Sequence, residues 1–167
     1  MIEVATVGRE GGVGLPAFVE EQTSPHRVFC QVPGEVVRIE LSALRKAALQ
    51  DGFLRSMLFS YHAAYLFQIS QSVACNGTLN LSERCCRWLL MTHDRAGRNE
   101  IDLTHEFLAA MLGVRRSSVT ETLQALKRRG NIDYGRGNIT VLDREALEEQ
   151  SCECYQAVTE EYQRLLG

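Results

Sequence analysis

No run of about 18 apolar residues occurs in this sequence, so no segment is expected to span a membrane. The first residues, MIEVATVGREGG, lack the basic start and apolar core of a secretory signal, which predicts a cytoplasmic chain. The motifs GxSxG, GxxxxGK[ST], HExxH and GxGxxG are all absent. The paired carboxylates Glu148-Glu149 and Glu160-Glu161 fall on an acidic, solvated helical stretch, so no catalytic function is expected. There is no CxxC, and His26, His62, His93 and His105 show no metal-ligand spacing. Repeats and low-complexity tracts are also missing.

What remains is ordinary globular composition over 167 residues, 45% apolar and 23% charged. That length holds one large or two small domains. The net charge is -3, which argues against indiscriminate coating of nucleic acid. The charge is polarised, however. Between Gly113 and Arg136, six cationic side chains face only Glu121 and Asp133, a local net of +4. The tail beyond Asp143 is strongly acidic.

The first 40 residues suggest short strands and turns, with β-rich runs HRVFCQV and EVVRIEL on either side of Pro33-Gly34. Ser42 is a candidate cap for a short helix, ALRKAAL. A long helix follows. Leu54, Met57, Leu58, Tyr61, Ala64, Tyr65, Ile69 and Val73 recur at steps of three and four. Phe53, Phe59, Leu66 and Phe67 add apolar surface outside that stripe. A helix this apolar is expected to pack on its own domain with one face and on a second copy with another, with Gln68 and Gln71 in the seam. The alternative is a helix buried inside a monomer. Asn76-Gly77 is expected to end the helix, Ser82 to cap the next, and Asp143 to cap one final helix through Leu165.

The stretch LAAMLGVRRSSVTETLQALKRRGNI, Leu108 to Ile132, reads as two short helices joined at Gly113. Leu108, Leu112, Val114, Val119, Leu123 and Leu126 are spaced to bury one side of the pair. The other side of the second helix carries Arg116, Ser117, Thr120, Glu121 and Gln124. These side chains suit base edges and phosphates, and a helix N-terminus adds N–H donors for phosphate. A glycine-rich hairpin with Arg136 follows, the order of a winged helix-turn-helix.

The string LTHEFLAAMLGVRRSSVTETLQALKRRGNIDYGRGNITVLDREALE, from about Leu103 to Leu147, resembles the DNA-binding domain of the Crp/Fnr superfamily of bacterial transcription regulators. Residues 1–42 look like the closing part of that family's cyclic-nucleotide-binding-type β-roll, and the long helix looks like its dimerisation helix. The expected fold is therefore α+β: a partial β-roll, a long dimerisation helix and a C-terminal winged helix-turn-helix. The expected division is 1–50 for the partial effector-type unit, 51–79 for the dimerisation helix, 80–147 for the winged domain and 148–167 for a C-terminal helix. The resemblance implies a homodimer on palindromic double-stranded DNA, with RNA polymerase as a further partner. Arg115, Arg116, Ser117, Ser118, Thr120, Glu121 and Gln124 are the readout candidates. Arg136 is a phosphate contact, and Lys127 and Arg128 are weaker ones.

Three departures stand out. Glu121 lies where a second arginine is common, Asn131 replaces a usual leucine, and the β-roll is short, so the chain reads as N-terminally truncated. Leu15 occupies the place of a ribose-binding glutamate, and Arg27 is displaced from the phosphate-binding place, which argues against a cyclic nucleotide ligand. Cys30, Cys75, Cys85, Cys86, Cys152 and Cys154 are expected to be reduced thiols with no metal or cofactor. Cys152 and Cys154, two apart on an expected helix, should diverge. A rival reading is a winged-helix module that binds protein instead of DNA. Salt-dependent duplex binding separates the two.

Overall fold

The computed structural model describes residues 2–15, 18 and 27–167. His26 lies outside them, and so does part of the run SPHRVFCQV. Among the described residues the order is α1 (Leu41–Gln50), α2 (Gly52–Thr78), α3 (Leu81–Ala96), β1 (Glu100–Asp102), α4 (His105–Leu112), α5 (Arg116–Arg128), β2 (Ile132–Tyr134), β3 (Asn138–Val141), α6 (Arg144–Gln150) and α7 (Glu153–Leu166). The strands form one antiparallel sheet in the order β1-β3-β2. Ile139 pairs with Ile101 on one side and Tyr134 on the other.

The main core lies under α3, α4, α5 and the sheet. Leu89, Leu90, Ile101, Leu108, Leu123, Leu126 and Ile139 are fully buried there. The buried positions recur at helical spacing on α5 and alternate on β3, so each of these offers one apolar face to the interior, whereas α3 is buried at every position from 85 to 92.

Residues 27–40 form no helix and no strand ladder among the described residues. β-rich composition makes a strand only when a second edge supplies hydrogen bonds. The preceding segment docks on the helices instead. Glu3 accepts from Trp88 Nε1 at 2.9 Å and from Gln31, and Tyr61 donates to the Gly12 carbonyl at 3.1 Å.

Several helix limits differ from those expected. Glu40, not Ser42, precedes α1, and no side chain caps it. Gly77 does not end α2, which runs to Thr78. One glycine costs a helix only about 1 kcal/mol, and the Thr78 hydroxyl closes the last turn on the Ala74 carbonyl at 2.8 Å. Asn80, not Ser82, caps α3. Its side chain accepts from Glu83 N–H, and the Glu83 carboxylate accepts from Asn80 N–H, a reciprocal capping box. The final helix is two helices, because Ser151 and Cys152 are both extended.

On α2 the buried stripe is Tyr61, Ala64, Gln68, Ser72 and Cys75. Gln68 is not in an outer seam. It is 0% exposed, donates to the Thr6 carbonyl at 3.0 Å and accepts from the Tyr162 hydroxyl at 2.8 Å. α7 packs along this face. Phe53, Met57, Phe59, Leu66 and Val73 remain exposed. A helix apolar on every side has no periodicity to say which apolar residues meet its own core. No described helix is long and apolar enough to cross a membrane.

Asn131 is 3% exposed. Its backbone is well used: the N–H donates to the Leu126 carbonyl at 3.1 Å, and its carbonyl accepts from Leu142 and Asp143, each at 3.0 Å. The side-chain Nδ2 has no partner among the described residues. A buried donor left unpaired costs about 1–3 kcal/mol. Asn131→Leu is therefore expected to stabilise the protein by roughly that amount. Urea unfolding tests it: a midpoint at or below the parent's would show that the amide contributes to stability.

Candidate nucleic-acid interface

The Thr104 side chain accepts from Phe107 N–H at 3.1 Å and starts α4. Gly113, at φ +67°, ends it. That left-handed conformation is strained for any residue with a Cβ, so glycine fits there. The chain then turns through extended Arg115 into α5 with no side-chain cap. The first turn of α5 therefore keeps its positive end open to an anion.

Val119, Leu123 and Leu126 anchor α5 in the core. Opposite them, Ser117, Glu121, Gln124 and Arg128 form an exposed stripe at steps of three and four. Arg116 lies exposed on its flank, and Arg115 is exposed at the helix entrance. Ser118 is half-buried. Arg115, Arg116, Arg128 and Glu121 form no ion pair among the described residues. The arrangement is a solvent-facing set of arginines and short polar groups whose charge is not spent internally.

Thr120 is half-buried and more committed. Its hydroxyl donates to the Arg116 carbonyl at 3.0 Å and lies 3.1 Å from His105 Nδ1. With the hydroxyl proton used, His105 Nδ1–H is the donor, and one acceptor lone pair on Thr120 remains. Burial and the nearby Arg116 guanidinium lower the pKa of His105 from its ordinary value.

The wing is the β2–β3 hairpin. Gly137 has φ +85°, and Gly135 N–H donates to Asn138 Oδ1 at 3.1 Å. Arg136 is exposed at its tip, and it too has no ion pair among the described residues. At the base, Tyr134 meets His105 edge-on at 4.9 Å, and Lys127 lies 4.8 Å over its ring. Lys127 also pairs with Asp133. The weak candidate Lys127 is thus a clasp between α5 and the wing. Tyr134 and His105 are the residues that sequence reasoning missed. Neither carries a motif, because their role is to hold the wing and α4 against α5.

Residues 83–150 match the family model described as the Crp-like helix-turn-helix domain. Many solved structures are similar, and two serve as examples. One is a transcriptional regulator of the Crp/Fnr family from Eubacterium rectale, with a TM-score of 0.50 and 24% identity over 66% of this chain and 51% of that one. The other is FixK2 from Bradyrhizobium japonicum, with a TM-score of 0.61 and 23% identity over 68% of this chain and 60% of that one. Identity at this level shows the shared fold. The chain matches between 51% and 60% of the length of these structures. No curated protein matches it.

Proposed function

We propose that this chain, whose residues 83–150 match the Crp-like helix-turn-helix domain, is a cytoplasmic DNA-binding transcription regulator of the Crp/Fnr type, acting as a homodimer on palindromic sites. The observation that carries this reading is the exposed face of α5. It opens on an uncapped positive end, continues in unpaired arginine, serine, glutamate and glutamine side chains, and stands beside a wing tipped by Arg136.

In the proposed complex α5 enters the major groove N-terminus first. Arg116 makes a bidentate contact to guanine O6 and N7. Arg115, Ser117 and Ser118, with the free N–H groups of the first turn, bind phosphate. Glu121 accepts from a cytosine amino group, the partner its ionised carboxylate suits. Gln124 reads the next base pair, and Thr120 offers its remaining lone pair. Arg136 binds phosphate from the wing. Non-catalytic action follows from this assignment: no step of it makes or breaks a covalent bond.

Residues 51–79 are assigned to dimerisation. Exposed apolar side chains along α2 favour burial against a second copy, at roughly 25 cal/mol per Å² of apolar area removed from water. Residues 80–147 are the reading domain, whose last helix runs on to Gln150. Residues 148–167 brace it against α2, and residues 1–50 belong to an effector-type unit. RNA polymerase is the further partner that such a regulator addresses.

Selection of bound duplexes from a random pool tests the proposal. Selected sites should be two-fold symmetric with half-site centres about 34–36 Å apart, one turn of duplex. Affinity should fall steeply with salt. Asymmetric sites would refute the dimeric mode, and absence of salt-dependent binding would favour a protein-docking module.

A further inference from the structure

Three cysteines that the DNA-binding reading does not use converge where α2 meets α7. Cys75 sits in the last turn of α2, Cys152 is the N-cap of α7, and Cys154 lies in the first turn of α7. The three sulfurs lie within 4.8 Å of one another, and those of Cys75 and Cys152 are 3.6 Å apart. Cys75 is 0% exposed and Cys152 7%. The expected divergence of Cys152 and Cys154 fails because Cys152 stands just outside the helix. Its extended backbone re-aims its side chain relative to a helical neighbour two residues on.

We propose that the reduced protein binds a thiophilic d10 metal ion such as Zn²⁺ through Cys75, Cys152 and Cys154. Sulfurs at about 2.3 Å from a shared ion stand roughly 3.8–4.0 Å from one another; the 3.6 Å between Cys75 and Cys152 is close to this, and the other pairs need only a small side-chain rotation to reach it. Zinc in this arrangement keeps a fourth position for an outside ligand.

The surroundings suit anionic sulfur. The N-terminal end of α7 directs its positive dipole end at Cys152 and Cys154. Arg87 is 8% exposed, lies near enough to Cys152 to interact with it electrostatically, and has an Nε–H with no partner among the described residues. Three thiolates and a divalent ion carry one net negative charge, which the guanidinium balances. Cys85 and Cys86 contrast with this. They are buried in the apolar core, where desolvation pushes both thiols up, that of Cys86 to about 12, so they stay protonated.

The sulfurs of Cys75 and Cys154 are also in bonding contact, as in a disulfide. Their Cα atoms are 7.0 Å apart, just beyond the about 4.4–6.8 Å usual for a disulfide. Two sulfurs that share an ion stand further apart than two bonded to each other, so the wider span favours the metal-bound form. Reduction of the disulfide by a phosphine consumes two electrons and two protons and gives two thiols. Metal binding then releases the protons of the three thiols as the thiolates form.

The test uses the full chain reduced by a phosphine. Zn²⁺ is titrated against a chromophoric chelator, and Cd²⁺ is followed through its sulfur-to-metal charge-transfer absorption. One ion per chain is expected. Cys152→Ser should weaken uptake by more than about tenfold, while Cys30→Ser, at an exposed thiol, should leave it unchanged. No uptake by the reduced parent, or equal uptake by Cys152→Ser, overturns the proposal. Should that variant not fold, alkylation of the parent decides. Zn²⁺ should shield Cys75, Cys152 and Cys154 from iodoacetamide and leave Cys30 reactive. Identical labelling with and without Zn²⁺ overturns it.

Discussion

Arg116→Ala is expected to weaken binding to the preferred duplex by about 1–3 kcal/mol, or five- to 150-fold, and to relax base choice at one symmetric pair of positions. The effect is large because a bidentate guanidinium contact supplies both charge and geometry, and alanine supplies neither. Arg116 is suited to this role by what it does not do. Its side chain is exposed and makes no internal ion pair among the described residues, so nothing holds it back from the groove. Arg136→Ala is the matched comparison. A wing arginine on phosphate should weaken all sequences alike and reduce the salt slope by about 1. Binding isotherms at several salt concentrations, on preferred and mismatched duplexes, separate the two. Equal and sequence-independent losses would reduce Arg116 to a phosphate grip.

Leu123→Ala is expected to cost about 2–5 kcal/mol of folding stability. Leu123 is 0% exposed in the core that joins α5 to α3, α4 and the sheet. Truncation removes the transfer energy of the lost carbons and leaves a cavity that a close-packed interior fills only in part. Domains are stable by only about 5–15 kcal/mol, so this single change consumes a large share. DNA affinity should fall only as far as the folded population falls, with the salt slope unchanged, because no phosphate contact is lost. Thermal unfolding with and without saturating duplex checks both halves. A Tm close to the parent's would mean that the core collapses around the smaller side chain.

The helix-turn-helix half of the molecule was legible in the sequence. Gly113 and Thr104 mark the ends of α4 chemically, one by its freedom at positive φ and the other by its hydroxyl. The spacing of Val119, Leu123 and Leu126 determined which face of α5 is buried, and so which side chains are left to solvent. Such signals are local, acting over three or four residues, and local rules reach that far. Asn80 as cap in place of Ser82 shows the limit even here, because two good capping residues two positions apart can be told apart only by where the preceding turn ends.

Other features depend on approach between distant segments, and only the tertiary structure decided them. Tyr134 against His105, and Lys127 over Tyr134, arise from the return of the wing to α4 and α5. Gln68 reads as a seam residue facing a second copy, yet it is buried within its own chain because Thr6 and Tyr162, 62 and 94 residues away, supply its partners. Cys75 meets Cys152 and Cys154 only because α7 folds back along α2, after a break at Ser151 that no proline or glycine announces. The physical reason is the same in each case. Periodicity and capping are properties of neighbouring residues, whereas a buried polar pair or a thiol cluster exists only after the chain has closed a long loop, and the sequence on either side carries no mark of the partner it will meet.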